Sequence, residues 1–173
     1  VERFGVPEPL PFSIVRDRIP ISSVDAAYMA NSTTGVIRLA RFAQNTPQDF
    51  RDAVVSLAEN GMERLVLDLR ENGGGYLDAA HFIASQFLQR QQLIVYTEGR
   101  NRRRRDFYSD GEGVLRNIPL VVLIDEFSAS ASEIVAGAIQ DNDRALIIGR
   151  RSFGKGLVQE QSDFPDGSGM RLT

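Results

Sequence analysis

Two short segments contain the residues whose types and spacing could carry out chemistry. Ser130 lies where a helix is expected to begin, in the run Ser128-Ala129-Ser130-Ala131-Ser132-Glu133-Ile134, and Lys155 follows 25 residues later in Phe153-Gly154-Lys155-Gly156. A serine hydroxyl needs a base to become a nucleophile, and a lysine can be that base where burial keeps its amine uncharged. Because the chain has a single histidine, it offers only one candidate for the base of a Ser-His-Asp triad. The pattern therefore predicts a Ser-Lys hydrolase.

The serine-rich run also has a purely structural interpretation. Ser130 and Glu133 fit the S-x-x-E pattern of a capping box, which needs no catalytic role. The functional interpretation depends on the surroundings, because a buried strand that leads through small residues into a helix is a usual place to display a nucleophile. A helix N-terminus also offers free N–H groups to a developing oxyanion. Ser128 and Ser132 compete for the role, and spacing alone does not choose among the three.

The lysine segment nearly matches a phosphate-binding loop. Gly149-x-x-x-x-Gly154-Lys155 has the required spacing, but Gly156 stands where that motif needs Ser or Thr, and a strand is predicted where a helix should follow. The alternative is a solvated surface lysine, although flanking glycines would let the backbone approach another element closely. Phosphate binding is therefore not expected.

Three further features of the sequence give only weak indications of a function. The run Gly73–Gly75 follows a buried strand and is either a turn or a set of backbone N–H groups that could face an anion. His81 lies on the apolar side of its helix and is expected to be a packing residue. The basic run Arg102–Arg105 is expected to be a solvated strand or loop, with binding of acidic partners as the alternative.

Composition limits the classes of protein. The 173 residues suffice for one domain with a core, and 42% hydrophobic with 25% charged residues indicates a globular chain. The absence of cysteine excludes disulfides, a thiolate nucleophile and a Cys-ligated zinc site. The acidic residues show no metal-ligand spacing, and no apolar run approaches the ~20 residues of a membrane span. A net charge of −3, with no aromatic residues between the arginines of the basic run, argues against nucleic acid.

Predicted strands and helices alternate along the chain. A strand over 119–125 leads into a helix over about 130–140, and a strand over 65–69 ends at the glycine run. Other helices are predicted after Thr46-Pro47, with Thr46 as N-cap and Gly61 as C-terminal stop, and from Leu77 to Leu88. Further strands are predicted over 12–15, 35–42, 93–96 and 144–148, with a terminal β pair over 157–161 and 170–173. This order predicts an α/β fold with a mostly parallel sheet and flanking helices.

Three motifs, taken together and in order, resemble the carboxyl-terminal processing peptidases, also called tail-specific proteases. They are Asp68-Leu69-Arg70-Glu71-Asn72-Gly73-Gly74-Gly75, the Ser128–Ile134 run, and Gly154-Lys155-Gly156-x-Val158-Gln159. The resemblance implies that Ser130 is the nucleophile and Lys155 the base, and that Gln159 orients the lysine amine. It further implies an oxyanion hole from the N–H groups of Ala131 and Gly74, on a crotonase/ClpP-like core.

The resemblance also implies a function and a domain organisation. The expected activity is a serine endopeptidase that cleaves proteins near their C-termini through an acyl-enzyme, without a metal or organic cofactor, in the periplasm or another extracytoplasmic space. Expected partners are protein or peptide substrates bound through their C-terminal region, and a homo-oligomer or adaptor in the full-length form, but no nucleic acid. Residues 1–30 would be the remnant of a PDZ domain and linker, and 31–173 a catalytic core truncated at its C-terminus, with weak activity.

Two other classes remain open at this stage. One is a catalytically silent peptide-binding module of the same fold. The other is a crotonase-like acyl-CoA enzyme, which would use two oxyanion N–H groups without a Ser-Lys dyad.

Overall fold

The computed structural model describes residues 1–15 and 21–173. Within this part of the chain there are nine strands and three helices. In chain order they are β1 (Val24–Met29), β2 (Thr34–Leu39), α1 (Thr46–Glu59), β3 (Arg64–Asp68), α2 (Leu77–Ser85), β4 (Leu93–Gly99), β5 (Arg102–Tyr108), β6 (Leu120–Ile124), α3 (Ala131–Asp141), β7 (Leu146–Gly149), β8 (Glu160–Asp163) and β9 (Gly169–Leu172).

The main sheet has five strands in the order β1-β2-β3-β6-β7. The β1–β2 pair is antiparallel, and the other three pairs are parallel. The predicted α/β fold with a mostly parallel sheet is confirmed. Two separate antiparallel hairpins, β4–β5 and β8–β9, complete the described strands.

The core forms between this sheet and the helices. Alternate residues of the central strands are buried, as the period of two requires. Helix α1 contributes an apolar stripe at helical spacing, and the ring of Phe50 meets that of Phe87 edge-on, with centroids 6.2 Å apart. The largest fully buried side chains are Phe42, Phe50, Phe87, Ile37, Leu39, Leu65, Leu67, Leu69, Ile83, Leu88, Ile139 and Val122.

Several local predictions need correction. Phe12–Val15 is not a strand: these residues are exposed and pair with no neighbour among the described residues, so their apolar side chains find no sheet to join. The strand β1 was not predicted, because its residues are only half-buried or exposed and alternate only partly. Strand β4 is confirmed but pairs with the basic strand β5 rather than with the main sheet. The terminal hairpin begins at Glu160, three residues later than predicted.

The first helix begins one residue earlier than predicted. Asn45 is its N-cap, and Thr46 is the first helical residue, followed by the proline. The Thr46 hydroxyl accepts the N–H of Ala43 at 2.8 Å and donates to Ser23 Oγ at 2.7 Å, so it stabilises the preceding loop instead of the helix end. The predicted stop is confirmed, since Gly61 follows the helix with φ of +85°.

The predicted PDZ remnant and linker over 1–30 stays a prediction. Residues 16–20, which fall within this range, lie outside the described residues.

Candidate active site

Three segments meet at one edge of the sheet because β3, β6 and β7 are parallel neighbours. Asp68 pairs with Leu123, and Ile124 pairs with Gly149, so the carboxyl ends of the three strands lie side by side. We call the segments that leave these ends the glycine loop (69–76), the serine turn (125–130) and the lysine segment (150–159). The carboxyl edge of a parallel sheet is the usual place for a site in an α/β fold. The fold therefore brings the predicted residues to one edge.

Ser130 lies at the junction of the serine turn and helix α3, in an unusual backbone conformation. Its φ of 56° and ψ of −110° lie where residues other than glycine are seldom found. Such strained positions occur preferentially at functional sites, where the surrounding structure enforces them. The side chain is half-buried. A strained strand-to-helix turn is the geometry that displays the nucleophile in α/β-hydrolases.

The three serines of the run differ in what their hydroxyls do. Ser128 and Ser132 are both 0% exposed. The Ser128 hydroxyl donates to the carbonyl of Leu69 at 2.8 Å, and the Ser132 hydroxyl donates to the carbonyl of Asn72 at 2.8 Å. The Ser130 hydroxyl donates to no acceptor in the described part of the chain. Two of the three candidates are thus bound to the glycine loop, and Ser130 alone keeps a hydroxyl proton to give away.

The predicted oxyanion groups are next to each other. Gly74 has φ of +96°, and a Cβ added to it would lie 2.9 Å from the nitrogen of Ala131 and 2.6 Å from the carbonyl oxygen of Ala129. Only glycine permits both this conformation and this close approach. The N–H of Ala131 has no acceptor among residues 1–15 and 21–173, whereas that of Gly74 donates to Asn72 Oδ1 at 2.9 Å. The oxyanion role of both residues stays a prediction.

The carboxylate of Glu133 joins the serine turn to the lysine segment. Its Oε2 accepts the N–H of Ser130 at 2.8 Å and the N–H of Lys155 at 2.9 Å. Its Oε1 accepts the Ser152 hydroxyl at 2.8 Å and the N–H of Gly154 at 2.6 Å. The N–H of Phe153 also donates to the Ser128 carbonyl at 3.0 Å and so joins the two segments directly. One side chain thus fixes the backbones of both predicted catalytic residues.

This linking role could not be predicted from the sequence. The S-x-x-E spacing does identify Glu133 as a capping-box residue, and Ser130 and Glu133 do occupy the two positions of that motif. Nothing in the spacing connects Glu133 with residues 152–155, which follow 19 to 22 residues later. The lysine segment has no regular secondary structure, so its position depends on these side-chain bonds.

Hydrogen bonding controls the ionisation of Glu133. Burial opposes the charged form, but the hydrogen bonds from Ser152 and from the N–H groups of Ser130, Lys155 and Gly154 outweigh it and hold the pKa of this carboxyl below its usual value. A lowered pKa in the folded state means that the ionised group stabilises the fold. That stabilisation is complete above the pKa of the unfolded chain and is lost as the pH falls through the lower, folded pKa.

We expect Glu133→Gln to lower both the melting temperature at pH 7 and the rate of the hydrolysis that the sequence predicts, because an amide offers one acceptor where the carboxylate offers two. The loss in melting temperature should shrink as the pH falls below about 4.3, the ordinary pKa of glutamate. Thermal unfolding of both proteins between pH 3 and 7 checks this. A difference in melting temperature that is constant over this range would show that the charge of Glu133 is not the source of the effect.

The side chains of Lys155, the predicted base, and Gln159, its predicted partner, form no hydrogen bond with each other in the described structure. The Lys155 side chain is half-buried, and its amine has no hydrogen-bond or ion-pair partner within residues 1–15 and 21–173. The Gln159 side chain is exposed and donates to Thr173 Oγ1 at 3.1 Å. The role of Gln159 toward the lysine amine stays a prediction.

Asp68 and Arg70 brace the start of the glycine loop. Arg70 Nε and Nη2 donate to the two carboxylate oxygens of Asp68 at 2.9 and 2.6 Å, and the Arg70 N–H donates to Oδ1 at 3.0 Å. Asp68 is 4% exposed, and burial opposes its ionisation, but the bonds from Arg70 hold its pKa below the usual value. Asn72 joins the glycine loop to the serine turn, since its carbonyl accepts the N–H of Ala129 at 3.0 Å.

His81 makes a structural contact. Its Nε2 donates to the carbonyl oxygen of Tyr108 at 2.9 Å, and its ring meets that of Phe107 with centroids 6.5 Å apart. The expectation that it packs, rather than acts as a base, agrees with these contacts to the β4–β5 hairpin.

We expect His81→Gln to leave turnover within about twofold of wild type, because a glutamine amide can replace the donor to Tyr108. Steady-state kinetics and thermal unfolding of the variant check this. Loss of turnover at an unchanged melting temperature would make His81 a catalytic candidate.

No group of three or more His, Cys, Asp or Glu side chains in the part of the chain that the structure describes could hold a metal ion. None of its helices has the length and apolar character to cross a membrane.

Comparison with known proteins identifies relatives of the chain. The family model described as Peptidase family S41 matches residues 33–173. The carboxyl-terminal-processing protease of Synechocystis sp. is 40% identical over 173 residues, covering 98% of this chain and 40% of that protein. The chloroplastic C-terminal processing peptidase of Tetradesmus obliquus is 42% identical over 145 residues, covering 83% of this chain and 31% of that protein. The chain thus spans two fifths or less of these relatives.

Solved structures with this fold agree with the sequence matches. The photosystem II D1 C-terminal processing protease is 35% identical, with a TM-score of 0.74, covering 91% of this chain and 44% of that one. A putative S41 protease from Bacteroides fragilis has a TM-score of 0.71 at 20% identity, covering 90% of this chain and 45% of that one, and shows the shared fold.

Proposed function

The chain belongs to peptidase family S41, and from this we propose that it is a serine endopeptidase that cleaves proteins near their C-termini. Ser130 is the nucleophile, and Lys155 is the general base. The observation that supports this proposal is how the groups at the carboxyl edge of the sheet are bonded. Of the three serines there, Ser130 has the hydroxyl that is not bound to the glycine loop. Glu133 links the backbone of Ser130 to that of Lys155.

The reaction follows from the groups at this edge. Lys155 in its uncharged form takes the proton of the Ser130 hydroxyl while the oxygen attacks the scissile carbonyl carbon. The N–H groups of Ala131 and Gly74 stabilise the resulting oxyanion, and each such donor is typically worth ~2.7–4 kcal/mol. The lysinium gives its proton to the leaving amine as the C–N bond breaks. Water, activated by the same lysine, then hydrolyses the acyl-enzyme and regenerates the serine.

Two groups must change partners for this reaction. The N–H of Gly74 donates to Asn72 Oδ1 in the free protein and would exchange that oxygen for the oxyanion. The amide of Gln159 would exchange Thr173 for the lysine amine. Catalytic hydrogen bonds often form fully only when substrate is bound. An extended substrate segment, paired with an edge of the sheet, is the peptide-binding mode that suits this site.

The resemblance to C-terminal processing peptidases indicates the substrate class. Proteins or peptides held through their C-terminal region, in an extracytoplasmic compartment, are the proposed substrates. Incubation with an unfolded protein and mass spectrometry of the products tests this. Fragments cut near the C-terminus support the proposal, whereas binding of the peptide without cleavage would identify a silent peptide-binding module.

We expect the 173-residue chain alone to turn over substrate at least about tenfold more slowly than a longer chain extended to the length of its relatives. The physical reason is that a nucleophile displaced by about 1 Å loses on the order of 10²-fold in rate, and the lysine segment is held by few bonds. Parallel assays of the two chains on one unfolded substrate check this. Equal turnover would show that residues 1–173 are competent by themselves.

A further inference from the structure

Asp125 is the first residue of the serine turn, and its carboxylate contacts two loops at once. Oδ1 and Oδ2 both accept the N–H of Glu71, in the glycine loop, at 3.0 and 3.1 Å. Oδ1 also accepts the N–H groups of Phe127 and Ser128, in its own turn, at 3.0 and 3.1 Å. In addition, the backbone N–H of Asp125 donates to the Ser128 hydroxyl oxygen at 2.9 Å. The residue thus organises its own turn and holds the neighbouring loop.

Each of the two loops carries a strained residue. Glu71 has φ of 61°, and Ser130 has φ of 56°, both in the left-handed region that non-glycine residues seldom adopt. Strain of this kind persists only where surrounding bonds enforce it. The N–H of the strained Glu71 is the donor shared by both oxygens of Asp125.

The Asp125 contact resists disruption because it involves an ionised acceptor. Burial opposes the charge, but hydrogen bonds from Glu71, Phe127 and Ser128 outweigh it and hold the pKa of the Asp125 carboxyl below its usual value. Hydrogen bonds to an ionised acceptor are about twice as strong as neutral ones. The other bonds between these loops are neutral: Ser128 to Leu69, and Ala129 and Ser132 to Asn72.

We propose that Asp125 is a positioning residue for oxyanion stabilisation, fixing the distance between the glycine loop and the serine turn. The proposed oxyanion donors stand on opposite sides of this contact, Gly74 on the glycine loop and Ala131 at the start of α3, directly after the serine turn. The inference rests on the proposed peptidase function. Because oxyanion donors act on the transition state more than on bound substrate, a shift between the loops should lower kcat and leave KM nearly unchanged.

A pair of substitutions separates position from charge. Asp125→Asn removes the charge but keeps one oxygen at the place of Oδ1, which takes all three backbone N–H groups. Asp125→Glu keeps the charge but moves the carboxylate by one methylene. If position is what matters, the Asn variant should retain kcat within about threefold, and the Glu variant should lose about 10-fold or more.

The experiment measures kcat, KM and melting temperature for both variants in the longer chain. Val122→Ala is the stability control, since Val122 is 0% exposed on β6, belongs to the hydrophobic core and makes no side-chain hydrogen bond. We expect the control to lose melting temperature while kcat stays within about twofold.

Two outcomes overturn the inference. A Glu variant with a kcat equal to or above that of the Asn variant would show that the position of the carboxylate does not control kcat. A kcat loss in the Glu variant that Val122→Ala reproduces at the same melting temperature would show a merely structural role. Ser130→Ala in the same assay distinguishes the failure of the proposed function: if it cleaves as fast as wild type, the function is wrong, and the inference falls with it.

Discussion

Ser130→Ala is expected to lower kcat/KM by at least about 10⁴-fold while the fold survives, because removal of a serine nucleophile is among the most damaging changes a hydrolase can undergo. The side chain is half-buried, and its hydroxyl donates no bond to the described residues, so little stability should be lost. Cleavage of an unfolded substrate and circular dichroism of the purified variant together check both parts. Near-wild-type cleavage would mean that the wrong serine has been identified.

The neighbouring serines supply matched controls for this substitution. Ser128→Ala and Ser132→Ala each remove one of the two donors to a buried carbonyl, that of Leu69 or of Asn72, which keeps a backbone N–H donor. Loss of one such hydrogen bond costs about 0.5–1.5 kcal/mol of stability. These variants should therefore melt earlier than Ser130→Ala and yet cleave far faster, which is the reverse of the order that a purely structural role for Ser130 would give.

Lys155→Ala is expected to reduce kcat by about 10²–10⁴-fold, the usual contribution of a positioned general base. The backbone N–H that donates to Glu133 is kept in the variant, so the lysine segment should stay in place. Steady-state kinetics with an unfolded substrate, at several pH values, measures the loss.

Lys155→Arg is the matched control, because arginine keeps the positive charge and most of the length but does not give up its proton at any working pH. It should be about as inactive as the alanine variant. Activity in Lys155→Arg near that of wild type would show that the residue contributes charge alone and that another group is the base.

The sequence predicted most of the main sheet and the three helices, for a physical reason. Runs such as 65–69 and 119–125 are apolar at a length that favours buried strands, and the stripe that contains Phe50 and Leu57 has helical spacing. Local pattern did not predict β1, whose position depends on its pairing with β2. It did predict a strand at Phe12–Val15, where the apolar side chains are exposed and pair with no described strand.

The sequence suggested the residue types of the candidate site but not their connections. Residue spacing suggested a serine and a lysine, and could not choose among Ser128, Ser130 and Ser132. That choice depends on hydrogen bonds to Leu69 and Asn72, about 60 residues away in sequence, which local pattern does not encode. The same holds for Glu133 and Asp125, whose contacts with the lysine segment and the glycine loop exist only once the parallel strands are aligned.

Covalent trapping tests directly whether Ser130 is the nucleophile and Lys155 its base. The protein is incubated with a serine-reactive fluorophosphonate, digested, and analysed by tandem mass spectrometry that resolves the individual serines of 128–132. We expect one adduct, on Ser130, that is lost in Ser130→Ala and forms much more slowly in Lys155→Ala. An adduct on Ser128 or Ser132, or labelling of Ser130 at the same rate without Lys155, would contradict this expectation.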